Sequence, residues 1–205
     1  MKPILLLAFA GSLLSCTRSA TRHEPLRLDR NIRTQVLEHL TFPHPTGRDG
    51  AAHFYDNHYL VQWFTNDELE YSSFDSVISQ TFRSYYEWAE DTLVITGGYG
   101  WLTGLQGGFE IRVCNTDIQV FNKLCSANQP AYKLREEEPP RFIVNVPTQE
   151  SQVILSELPG RTDKPPVLYG FLSFNGTNFY EQKDSLSQRR RMNMKVYFRS
   201  TPLSS

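Results

Sequence analysis

Four of the five histidines fall between positions 39 and 58 (His39, His44, His53 and His58), and the stretch HFYDNHY adds Asp56. Imidazole nitrogens and a carboxylate suit zinc and similar ions, because their lone pairs are available near neutral pH. His53, Asp56 and His58 therefore define one chemistry to weigh, that of a metal-dependent hydrolase. Their spacing opposes it. In an extended strand His53 points to one face while Asp56 and His58 point to the other. A turn at Asp56-Asn57 instead leaves His53 further down the opposite strand. No HExxH and no paired CxxC accompanies them. The expectation is loop histidines, with no metal and no catalytic residue.

Other chemistry-bearing stretches also read as structure. TGGYGWLTGLQGGF holds six glycines in fourteen residues. It lacks the phosphate-loop lysine and a following helix, so no nucleotide cofactor is expected, and its glycines serve turns, bulges and close strand packing. No GxSxG elbow occurs. REEEPP, residues 135–140, is a solvated connection held extended by its prolines. QRRRM places Arg189, Arg190 and Arg191 at an expected hairpin tip, where guanidinium forks suit an acidic partner or phosphate. Asn175 in NGT reads as a turn.

The aromatic load is the remaining signal. Thirteen Phe, ten Tyr and three Trp exceed the needs of one core of this size. Trp63, Trp88 and Trp101 are the candidates for stacking on a sugar ring or anchoring a protein partner.

The amino terminus carries a different message. Met1-Lys2 is a short positive end, and Pro3 to Leu14 is almost wholly apolar. About a dozen apolar residues fall short of the roughly 20 that a membrane-spanning helix needs, and match the apolar region of a signal peptide. The run stops at Leu13-Leu14-Ser15-Cys16. This resembles the lipobox of bacterial lipoproteins, in which leucine, a variable residue and a small residue precede cysteine. The resemblance covers residues 1–16. It implies cleavage after Ser15, lipid (palmitate-type acyl chains) on Cys16, and a membrane anchor. Thr17, where many inner-membrane lipoproteins carry Asp, implies outer-membrane sorting in the cell envelope. Beyond Cys16 the chain has the general look of small lipoproteins common in Bacteroidetes-type bacteria, a resemblance that brings no activity with it.

Removing residues 1–15 from the 205 leaves 190, enough for one domain with a real core. Lys2 is the only charge removed, so 20 basic and 22 acidic side chains remain. A net formal charge of −2 argues against nucleic acid as a partner. Of the three cysteines, Cys114 and Cys125 remain. A turn at Asn115-Thr116-Asp117 sets Cys114 opposite Ile118 and Cys125 opposite Gly107. That places the sulfurs roughly 23 Å apart at 3.3 Å per residue, too far to bridge unless the chain leaves the strand near Asn122 and folds back.

Residues 1–15 thus read as a signal peptide, 16–27 as a tether, and 28–202 as a single β-rich domain. Asp29 to Leu40 places Ile32, Val36, Leu37 and Leu40 at helical spacing. From His58 onward, alternating apolar segments recur about every ten residues, which indicates an all-β fold, an antiparallel β-sandwich with a short N-terminal helix. Residues 73–90 suit helix or strand, and Glu90-Asp91 as a turn favours strand. The functional expectation is an anchored, non-enzymatic module that binds a protein or glycan partner. The alternatives are the His53/Asp56/His58 hydrolase and a structural surface protein without a ligand.

Overall fold

A computed structural model describes residues 22–40, 58–72, 82–99, 105–115, 117–162 and 166–203. Among these the chain is mostly β. The elements in order are β1 (Arg22–His23), β2 (Arg27–Leu28), α1 (Ile32–Leu40), β3 (His58–Thr65), β4 (Glu68–Ser72), β5 (Phe82–Ala89), β6 (Thr92–Tyr99) and β7 (Leu105–Cys114). They continue with β8 (Asp117–Ser126), β9 (Tyr132–Lys133), β10 (Ile143–Leu155), β11 (Leu168–Gly176), β12 (Phe179–Lys183) and β13 (Leu186–Pro202). No helix among the described residues is long and apolar enough to cross a membrane.

The strands form one hydrogen-bonded network whose pairings close a circuit, β5–β6–β7–β8–β10–β11–β13 and back to β5. Two long strands make this closure. β10 pairs with β8 through Ile143 to Pro147, then with β11 from Thr148 to Leu155, with a register shift between Thr148 and Glu150. β13 pairs with β12 and β3 early, with β11 later, and with β5 through Thr201 and Pro202. The segments RFIVNVP and SQVILSEL, separate by pattern, are thus one strand. The polar break between them is the point where β10 changes partners. Pro147 fits there because its missing N–H is no loss where pairing switches, and its carbonyl accepts the Thr177 N–H at 3.2 Å.

Alternation supplies the core. In β8 the even residues from Ile118 to Ser126 are buried and the odd ones are not. Apolar side chains from β3, β5, β6, β7, β8, β10, β11 and β13 meet in one cluster. A second cluster joins Leu124, Ala131, Tyr132, Val144, Val146 and Phe179. Helix α1 starts after Asp29, whose Oδ1 accepts the Asn31 N–H at 3.0 Å. It lays Ile32 and Val36 inward, and His39 stacks on Tyr197 of β13 at 3.8 Å. Leu37, expected on the same apolar stripe, is exposed.

Two-residue turns with left-handed backbone close the hairpins. Asn66 and Asp67 both have positive φ between β3 and β4, and Glu90 does so between β5 and β6, where the Glu90-Asp91 turn was expected. Asn115 has φ 56°, and the β7–β8 turn holds two residues, not three. Cys114 therefore pairs with Asp117 instead of Ile118, and Cys125 with Gln106 instead of Gly107, a one-residue slip set by the turn. Both thiols are free.

Candidate functional site

The polar break in β10 organises a site with the chain's own amino-terminal segment. Residues 22–28, of which 22–27 were expected as the end of a free tether, run parallel to β10. Arg22 and His23 pair with Glu150 and Ser151, and Arg27 and Leu28 with Ile154 and Leu155. The Glu24 N–H donates to the Ser151 carbonyl at 3.1 Å, the Asp29 N–H to the Leu155 carbonyl at 2.9 Å, and Leu26 packs on the core. The edge of β10 beyond its last pair with β8 is unfilled by that strand, and a passing segment satisfies its backbone groups.

On the other side β11 ends opposite the same break, with Asn175 against Glu150, Phe174 against Ser151 and Ser173 against Gln152. A cavity of about 480 Å³ opens here, lined by Glu24, Glu150, Ser151, Gln152, Ser173, Phe174 and Asn175. Its side chains order one another. The Gln152 amide donates to Glu24 Oε2 at 3.0 Å, and the Asn175 amide to Glu150 Oε2 at 3.3 Å. Phe174 lies in the core and closes the floor from within. The volume lies in the roughly 300–1,000 Å³ range of small-molecule sites, but two carboxylates, two amides and the Ser173 hydroxyl make the lining polar. Such a set accepts and donates several hydrogen bonds at once, the requirement of a hydroxyl-rich ligand. Of these residues the sequence singled out Asn175 alone, and as a turn. Thr148 to Glu150 fall between two segments that read as separate strands.

The candidates named from sequence lie elsewhere. Trp63 of β3 packs between the two apolar clusters, against Phe179, and Arg190 covers its ring with the guanidinium carbon 5.6 Å from the centroid. Trp88 of β5 packs on the main cluster, and Arg161 lies over it at 4.8 Å while hydrogen-bonding the Glu90 carbonyl. The two indoles share no site. Trp101 and Cys16 lie outside the described residues, as do His44, His53 and Asp56; His58 opens β3. Among the described residues no three His, Cys, Asp or Glu side chains are grouped to hold a metal ion.

QRRRM is not a hairpin tip. It lies inside β13, because the tip falls earlier, at Asp184-Ser185. Each arginine is engaged by its own strand neighbours. Arg189 pairs with Asp67 and Arg191 lies over Phe64 at 4.3 Å. Arg190 bridges Glu70 at 2.6 Å and Glu181 at 3.2 Å.

A second charged group spans β7, β8 and β10. Glu110 is 5% exposed and receives Arg112 at 2.6 Å, Lys123 at 2.8 Å and the Asn145 amide at 3.0 Å. Burial alone pushes its carboxyl up. The hydrogen bonds and charges of Lys123, then of Arg112, outweigh burial and hold it below the ordinary value of 4.5. The unfolded chain therefore takes up this proton first as pH falls, and protonation favours unfolding. The stabilisation is present above pH 4.5 and is lost as pH drops through the lower, folded value. Glu110→Gln is expected to cost about 1–2 kcal/mol at neutral pH and to flatten the stability loss below that point. Urea midpoints of both proteins across the acid range check this; parallel pH profiles would refute it.

Comparison with known protein families, with curated proteins and with solved structures finds no match for this chain, so the chemistry of the site rests on its own residues.

Proposed function

We propose that the chain is an envelope lipoprotein of the outer membrane, anchored through Cys16, whose β-domain binds a glycan without transforming it. The cavity beside β1 carries this reading. Glu24, Glu150, Gln152 and Asn175 line it as hydrogen-bonded carboxylate–amide pairs, with Ser173 beside them. Carboxylates accept from hydroxyl groups and amides do both, so a sugar finds partners for its hydroxyls at fixed positions. The architecture we infer is the sandwich expected from sequence, with its two sheets sharing β10 and β13 at the corners, an arrangement in which strands bend from one sheet into the other.

The test uses the full-length protein in detergent on an array of bacterial glycans. Glu150→Gln and Gln152→Ala are each expected to weaken the bound glycan about tenfold, the scale of one hydrogen bond to a charged or buried partner. Glu87→Gln, on a distant strand, serves as control. Retention unchanged in both cavity variants would refute the site. Cys16→Ala is expected to move the protein from the membrane to the soluble fraction.

A further inference from the structure

We infer that the cavity takes the sugar headgroup of a glycolipid lodged in the same leaflet as the Cys16 anchor. This deepens the glycan-binding reading and rests on it. β1 runs in the same direction as β10, so the anchored end of the chain meets the Glu150 end of the strand and not the Leu155 end. Arg22 pairs with Glu150 and His23 with Ser151, and every lining residue lies within two register positions of those pairs. From Cys16 to Arg22 the chain takes six Cα steps, which span at most about 22 Å when fully extended. Pairing of residues 22–28 along β10 leaves no further slack. An anchor at Cys16 therefore holds the Arg22 edge of the cavity within about 22 Å of the lipid surface.

Two consequences select the ligand. A headgroup in the same leaflet meets the site at an effective concentration of about millimolar or above, as for any two groups joined by a short link, whereas a free glycan must supply that concentration itself. The charged groups of the described lining are the carboxylates Glu24 and Glu150, which accept from hydroxyls and offer a phosphate no donor, while Arg22 pairs with Glu150 at the edge. A lipid headgroup and a free glycan share this chemistry and differ in how they reach the site.

The experiment separates them. Full-length lipidated protein is reconstituted in vesicles of envelope lipids from its expressing bacterium. Backbone hydrogen exchange is followed at residues 148–152 and 173–176. Parallel samples use the same vesicles after mild periodate oxidation, which cleaves the vicinal diols of sugars. Others use periodate-treated vesicles supplemented with the glycans released from these lipids by mild acid. Intact vesicles are expected to slow exchange in both segments, and periodate to abolish the effect. Released glycans are expected to need at least about tenfold more sugar for equal protection. A flexible Gly/Ser insert of about 30 residues between Ala20 and Thr21 should weaken protection by intact vesicles roughly tenfold. Equal protection by released glycans, with no effect of the insert, overturns the membrane source and leaves glycan binding standing. Protection that survives periodate, or none in any sample, overturns both.

Discussion

Gly108→Ala is expected to lower stability by about 4 kcal/mol or more, enough to leave much of the protein unfolded at growth temperature. A β-carbon at this position would lie 2.0 Å from the Gly97 carbonyl oxygen and 2.7 Å from the Gly98 α-carbon. Both are backbone atoms of β6, so no side-chain rotation relieves the clash. β6 and β7, joined over eight residue pairs from Thr92–Cys114 to Tyr99–Gly107, would have to separate. The same approach lets the Phe109 ring cover Gly97, where a β-carbon would sit 2.6 Å from that ring. Phe109 is fully buried and packs against both Phe82 and Phe198, so the disturbance reaches the centre of the core. Gly160→Ala is the matched control. Its nearest neighbour would be the Thr162 methyl at 3.5 Å, an ordinary contact, and its expected effect is within about 0.5 kcal/mol. Thermal and urea unfolding of the two variants decide the matter, and equal midpoints would show that the strands do not approach this closely.

Arg190→Ala carries the second largest expected effect, a loss of about 3 kcal/mol. The Arg190 side chain is 16% exposed and that of Glu181 is 17%, so removing the guanidinium leaves a carboxylate with little water and no cation. Three other contacts go with it: the bond to Thr65 Oγ1, the bridge to Glu70, and the cover over Trp63. For a domain of this size the melting temperature should fall by about 6–12 °C. Glu181→Gln alone removes one charge and keeps a hydrogen-bonding group, and costs less. The double variant should lose clearly less than the sum of the single ones, because the stranded carboxylate is the main penalty and the second change removes it. Additive losses would mean that Arg190 acts through packing on Trp63 and not through its charge.

Both predictions rest on residues that the sequence placed in the right class and the wrong setting. The glycine-rich stretch was legible as close strand packing, since no lysine or helix supported a phosphate site, but nothing local says that Gly108 meets Gly97. QRRRM was legible as basic and strand-adjacent. Its partial burial depends on β13 running on from the hairpin tip to Pro202, and on β3, β4 and β12 bringing Thr65, Glu70 and Glu181 to one arginine. The two tryptophans were legible as unusual. Their covering arginines are 73 positions away for Trp88 and 127 for Trp63, far beyond any window of periodicity.

The cavity was the least legible feature. Glu24 read as tether, Asn175 as a turn, and Thr148 to Glu150 as the gap between two strands. Each assignment follows from local pattern, and each changes because Arg22 pairs with Glu150 across more than a hundred residues.

The sequence alone determined the material of this protein. Period-two alternation with turn residues between apolar runs dictates strands, because it is a local property of a pleated backbone with one buried face. The Glu90-Asp91 turn belongs to the same local order. Tertiary structure decided which strands meet, where β10 changes partners, and that the segment after Thr21 completes the sheet. It also set Cys114 against Asp117. Pairing is a contest between backbone edges that all offer the same donors and acceptors. Its outcome depends on turn length and on the closure of the whole circuit, neither of which a single stretch of residues contains.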